Sequence, residues 1–215
     1  MKRVLIVVVS LLILGAGVYA WNFVNNRTTD EMDAMRFKNE YEELNGTTDS
    51  YGNLRTEITI SEDNNVVYLT YEELIEFIEN GTGLLFFGRP QCPWCRLLVP
   101  MMLEFADEDD ITIYYFNPDA DRTANNERYQ NILRLLHNYL PVDTVTQDED
   151  DPNFDPNLKR VTLPHLFFMR DGQVASDLFA NNHEYLENNE RERMKQLIRE
   201  KYSAIGNPDC TPTTC

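Results

Sequence analysis

The chain has 215 residues, with 36 Asp and Glu against 19 Lys and Arg, a formal net charge of −17 and 42% hydrophobic residues. So acidic a chain repels the phosphate backbone, which excludes nucleic acid as an expected partner, and the acidity reads as a solvated surface that keeps the protein soluble. The length after the leading segment suffices for one compact domain with one core.

The first element is apolar. Lys2 and Arg3 precede an uncharged run from Val4 to Trp21, at the short end of what spans a bilayer. Residues 1–21 read as a membrane anchor, with Tyr19, Trp21 and Phe23 at the outer interface. A signal peptide cleaved after Ala20 is the alternative, on the pattern Val18-Tyr19-Ala20. No cysteine follows the segment to be lipidated. In both readings the basic end stays in the cytoplasm and the rest is exported, where disulfides form and persist. Residues 22–53 are polar and read as a juxtamembrane spacer with one short helix over Asp30–Leu44, ended by Asn45-Gly46. Residues 54–204 carry the pattern of the compact domain, and 205–215 form a cysteine-containing tail.

Within the domain, Thr56–Ile60 alternates like a strand and Val66–Leu69 is a second short candidate. Thr70 with Glu73 forms a capping box for a helix that places Leu74, Phe77 and Ile78 on one face and stops at Asn80-Gly81. A buried strand over Leu84–Phe87 follows, then Cys92-Pro93-Trp94-Cys95 at the start of a helix bearing Leu97, Leu98, Met101, Met102 and Phe105. Ile111–Phe116 is the next strand, which makes a βαβ unit with parallel pairing. A helix over Asn126–Leu140, with Ile132, Leu135, Leu136 and Tyr139 on one face, is closed by Pro141. An acidic loop over Asp143–Lys159 leads to Val161–Val174, a strand, an Asp171-Gly172 turn and a returning strand. The last helix runs over Tyr185–Tyr202, with Leu186, Met194, Leu197 and Ile198 toward the core.

The chemistry sits in the dithiol. A helix N-terminus offers unpaired N–H groups and partial positive charge, which lowers the pKa of a cysteine placed there. Cys92 is therefore the expected attacking thiol, Pro93 suits the first helical turn, and Cys95, one turn on, is placed to resolve a mixed disulfide. Trp94 is expected to form an apolar lip, and Arg89 and Arg96 flank the motif as further sources of positive charge. Two other uses of such a pair are a half zinc site and a structural staple. A zinc site needs two more ligands, and His137, His165, His183, Cys210 and Cys215 repeat no ligand spacing, so no metal or other cofactor is expected.

Two linked motifs give the chain a resemblance to the thioredoxin-fold oxidoreductases over Thr56–Tyr202. One is C-P-W-C opening a helix after a buried strand, with Pro100 where that family often kinks the helix. The other is Leu163-Pro164-His165 leading into Leu166-Phe167-Phe168 and Asp171-Gly172. The resemblance implies an α/β thioredoxin fold, a central mixed sheet flanked by helices, with a helical insertion before the cis-proline strand. It also implies that Pro164 is cis and sets the Leu163 backbone beside the dithiol to pair with a substrate chain. The leading segment, the spacer and C-P-W-C together look like exported bacterial thioredoxin-like proteins related to the bacteriocin transport accessory group. Phe86 stands where the family has a buried acid, and Gly88 where it has an aromatic. His165 either contacts the dithiol or is a hydrogen-bonded strand residue, while His137 and His183 read as surface or helix-face positions.

Cys210 and Cys215 form a second pair on the tail, either a short-ring disulfide staple or a mobile dithiol that exchanges with Cys92 and Cys95. The leading expectation is an anchored extracytoplasmic thiol–disulfide oxidoreductase that acts on exported protein thiols or disulfides and is reset by a membrane or extracytoplasmic redox partner. An accessory, peptide-binding protein without essential redox turnover is the alternative, and a structural or metal-binding extracellular domain a third. The direction of exchange is not encoded, since potentials in this fold range from roughly −120 to −270 mV with environment.

Overall fold

The computed structural model describes residues 31–179 and 190–207. The leading apolar run, the tail cysteines, His183 and Leu186 lie outside them; among the described residues no helix is long and apolar enough to cross a membrane.

Five strands form one mixed sheet: β1 (Val66–Tyr68), β2 (Gly83–Phe87), β3 (Ile113–Phe116), β4 (His165–Arg170) and β5 (Gln173–Phe179), in the spatial order β1-β3-β2-β4-β5. β1 and β2 both pair parallel with β3, whereas β4 runs antiparallel to β2 and β5 antiparallel to β4. The β4–β5 turn has positive φ at both Asp171 (49°) and Gly172 (73°), the geometry that favours a two-residue hairpin. Gly172 is required there twice over, because a Cβ would lie 1.9 Å from the Glu79 carbonyl oxygen.

The strands are buried on both faces and divide the core in two. On one side Leu84, Phe86, Ile113, Tyr115, Leu166 and Phe168 pack against helices α1 (Glu31–Glu42), α3 (Pro93–Glu108) and α6 (Arg191–Ser203). On the other, Leu85, Phe87, Tyr114, Phe116, Phe167 and Met169 meet α2 (Tyr71–Asn80) and α5 (Glu127–Leu136). Alternation along each strand sends successive residues to opposite layers, so the pairing register fixes which side chains join the dithiol. The mixed sheet flanked by helices, with the helical segment inserted between β3 and β4, is consistent with the thioredoxin-like fold that the resemblance implies.

Several expectations are corrected. The described part of the stretch read as a spacer, 31–53, packs on the domain: α1 buries Ala34, Phe37 and Tyr41, and the last two belong to the core cluster that holds the dithiol. Thr56–Ile60 buries Ile58 and Ile60 in alternation but joins no strand. Its backbone is satisfied by side chains instead, Ile58 by both ends of the Asn45 amide (2.8 and 3.1 Å) and Ile60 by Glu42 (2.7 Å) and Lys38 (2.9 Å). The helix expected over Asn126–Leu140 is α5 followed by a 3₁₀ turn at His137–Tyr139, and it is preceded by a short helix not read from the sequence, α4 (Asp119–Ala124), which ends at left-handed Asn125. The described part of the last helix is α6 from Arg191, preceded by Glu190 with non-helical backbone angles (φ −78°, ψ 60°); the start expected at Tyr185 lies outside the described residues.

Candidate active site

Strand β2 delivers the chain to the end of the sheet, and Gly88-Arg89-Pro90-Gln91 turns it into α3. Cys92 is the N-cap of that helix and Pro93 opens its first turn, where a missing N–H costs nothing. The Cys95 backbone N–H donates to Cys92 Sγ at 3.3 Å, so the sulfur fills the capping role that an oxygen usually takes. Trp94 is half-buried against the same core and Pro100 lies inside the helix.

The two thiols are free and inequivalent. Cys92 retains 5% exposure whereas Cys95 retains none. Hydrogen bonding from the Cys95 thiol, with smaller contributions from the Cys95 and Trp94 N–H groups and the Arg89 charge, outweighs burial and lowers Cys92 from 9.0 to about 7. Burial, reinforced by the negative charge of Cys92, pushes Cys95 well above the ordinary thiol range. The result is one nucleophile poised near neutrality and one thiol kept protonated behind it.

The Leu163–Pro164 peptide is cis, and the Leu163 carbonyl accepts from the Cys92 thiol at 3.6 Å. The backbone at Leu163 thus lies directly beside Cys92. Arg89 pairs with Asp119 on α4, which fixes its guanidinium near the dithiol. Arg96 does not share that role. Its side chain is 1% exposed and turns inward, where it donates to the Tyr41 and Thr56 carbonyls (both 2.7 Å) and to Asn45 Oδ1 (2.5 Å), pinning α1 and the following loop to the start of α3.

His165 is not brought to the dithiol. It shares a face with Phe167, on which its ring stacks at 3.9 Å, and Nε2 pairs with Asp177 Oδ2 at 3.0 Å on the neighbouring strand. Burial lowers its pKa and Asp177 only partly offsets this, so the imidazole is neutral near pH 7. His137 is exposed and contacts the Asn157 carbonyl at 3.2 Å. Among the described residues no group of three or more His, Cys, Asp or Glu side chains is placed to hold a metal ion.

Phe86 is fully buried on the dithiol side, and its ring folds back under residue 88 so closely that a Cβ on Gly88 would lie 2.2 Å from Cζ. Phe86 and Gly88 therefore form one packing arrangement. Among the polar groups that reach this layer are two phenols. Tyr115 and Tyr41 are both fully buried in the cluster containing Cys95, and the Tyr115 hydroxyl donates to the Gly88 carbonyl at 3.1 Å. Sequence reading did not single out either one, although Phe37 and Tyr41 stand four apart on one helix face and Tyr115 lies in a buried strand, where a hydroxyl needs a partner.

No protein-family model matches the chain and no curated protein matches it. Among solved structures, the chain is similar to thioredoxin O2 from Arabidopsis thaliana in its oxidized state, at 16% identity over 65% of this chain and 96% of that one, with a TM-score of 0.37.

Proposed function

We propose that this protein is an extracytoplasmic thiol–disulfide oxidoreductase, held at a bacterial cell membrane by its leading apolar segment, that exchanges disulfides with exported proteins through Cys92 and Cys95. The observation that carries the reading is the unequal pair: a thiol titrating at about 7 at a helix N-terminus, backed by a fully buried thiol held protonated. A staple needs no such asymmetry, whereas exchange requires it.

In the reducing direction the Cys92 thiolate attacks one sulfur of a substrate disulfide. The Cys92–substrate S–S bond forms, the substrate bond breaks, and the departing thiolate takes up a proton. Cys95 then attacks Cys92 Sγ, which closes the Cys92–Cys95 disulfide and releases the second substrate thiol. The oxidising direction is the reverse, and an extracytoplasmic or membrane redox partner restores the starting state. The Leu163 backbone beside Cys92 supports docking of an extended substrate segment across the nucleophile.

The test is a trap. In cells making full-length Cys95→Ala protein, mixed disulfides should accumulate on Cys92 with exported proteins and vanish on Cys92→Ser. If no Cys92-dependent adducts form, the exchange reading is wrong and the accessory, peptide-binding reading takes its place. Labelling of the Cys95→Ala protein in intact cells by a membrane-impermeant thiol reagent tests the location, and protection until lysis would reverse it.

A further inference from the structure

Residues 47–55, which precede the stretch that carries the family resemblance, fold into a tight loop beside the dithiol. Thr48 and Leu54 pair antiparallel across it, and the Arg55 N–H donates to the Thr47 carbonyl at 3.0 Å. The Asp49 carboxylate closes the turn by accepting from the Tyr51 and Asn53 N–H groups at 2.8 and 2.9 Å. Two hydrogen bonds set this loop against the motif. Arg55 Nη1 donates to the carbonyl of Gln91, the residue before Cys92, at 3.0 Å, and Arg96, the residue after Cys95, donates to the Thr56 carbonyl at 2.7 Å. With its one carboxylate spent on holding the turn, the loop leaves Tyr51 (89%) and Leu54 (68%) exposed to solvent. Large apolar side chains held outward on an ordered loop beside a reactive centre mark a binding surface. Arg55 adds charge to it. The residue is only half-buried, and among the described residues it forms no ion pair, its oxygen partner being a backbone carbonyl. In a chain of net charge −17, a cation left without a carboxylate is complementary to an acid brought from outside.

We propose that this loop is the side-chain recognition surface of the exchange site, selecting polypeptide segments in which the cysteine is flanked by acidic and apolar residues. The inference deepens the exchange reading, rests on it and names its substrate class. Continuity with the dithiol sets the occupant. A polypeptide whose cysteine meets Cys92 lies against exposed Gln91 and Pro93 and half-buried Trp94, and Arg55 is bonded to the first of these. Residues next to that cysteine therefore come within reach of the loop. Contact with the Leu163 backbone is blind to side chains, whereas Tyr51 and Leu54 cover an apolar one and Arg55 donates to a carboxylate. The loop takes no part in the bond changes. The Cys92 thiolate attacks the substrate sulfur, the Cys92–substrate bond forms, and the substrate bond breaks with its electron pair on the departing sulfur. Recognition acts on which segment is held there.

Short peptides activated as 2-pyridyl disulfides test this on the reduced full chain, because attack on the peptide sulfur releases 2-thiopyridone as a chromophore. The sequences are Leu-Glu-Cys-Glu-Leu, Leu-Gln-Cys-Gln-Leu and Ser-Glu-Cys-Glu-Ser, whose repeated flanks serve either chain direction. Each rate is divided by that of the same protein with 2,2′-dithiodipyridine, which has no flanks. Arg55→Gln should reduce the preference for the first peptide over the second about two- to fivefold, the range of a partly exposed ion pair. Tyr51→Ser with Leu54→Ser should reduce the preference for the first over the third about three- to tenfold, as the loss of one or two methylene contacts implies. Preferences that neither replacement moves overturn the proposal, and absolute rates that fall together for every reagent mark the loop as structural only. A protein size that depends on concentration until Tyr51 and Leu54 are replaced, with peptide preferences unmoved, overturns it in favour of a second copy of the chain. If the wild-type chain does not attack 2,2′-dithiodipyridine, the exchange reading falls first and takes this inference with it.

Discussion

Replacing Cys95 with Ala removes the largest influence that holds Cys92 at about 7, the hydrogen bond from the Cys95 thiol. A hydrogen bond to a charged acceptor is worth about 1.5–3 kcal/mol, and one pKa unit corresponds to about 1.36 kcal/mol, so the loss raises Cys92 by about one to two units. The backbone N–H of residue 95, at 3.3 Å from the sulfur, and the Arg89 charge survive the change. Raising the pKa disfavours the thiolate, so the titration moves to higher pH, with a midpoint between about 8 and 9. At pH 7 the thiolate fraction falls from about one half to between about 1% and 10%. Thiolate absorbance followed against pH measures the midpoint, and the pH dependence of iodoacetamide alkylation checks it independently. A variant that still titrates near neutrality would show that the helix N-terminus and Arg89 suffice, refuting the assignment of the Cys95 thiol as principal donor.

Three further outcomes test the framework around the site. Arg96→Met orphans the buried Tyr41 carbonyl, at about 1–3 kcal/mol, and removes the part-buried bond to the Thr56 carbonyl, at about 1 kcal/mol, so stability falls by about 2–4 kcal/mol; an unchanged denaturant midpoint would contradict the pinning of α1. Phe37→Ala should cost about 3–5 kcal/mol in the same assay, whereas a true spacer residue would cost less than about 0.5 kcal/mol. His165→Phe keeps the stacked ring but loses the Asp177 bond, so the Cys92 midpoint should stay where it is; a displacement of about a unit would mean that this side chain reaches the dithiol after all.

How much of the molecule was legible in advance depended on the range of the interaction involved. Thr70 and Glu73 cap α2 reciprocally, as their spacing implied, and Asp171-Gly172 makes the hairpin turn. Both are decided by backbone chemistry within four residues. Thr56–Ile60 shows the opposite case. Its alternation correctly marks Ile58 and Ile60 as buried, but whether its backbone pairs with a strand or with Asn45, Glu42 and Lys38 depends on a helix that lies elsewhere in the chain.

The sequence by itself determined that a dithiol would sit at a helix N-terminus behind a buried strand, because two cysteines, a proline and the flanking apolar patterns suffice to specify a strand, a turn and a capped helix. Only the tertiary structure decided what surrounds that dithiol. Antiparallel pairing of β4 with β2 sends His165 to the face opposite Cys95, and parallel pairing of β2 with β3 leaves Phe86 beside Tyr115. Arg96, turned inward, binds α1 so that Tyr41 enters the same layer. Each of these outcomes follows from register and packing between residues distant in the chain, where a shift of one position would exchange the faces and a local motif carries no record of the choice.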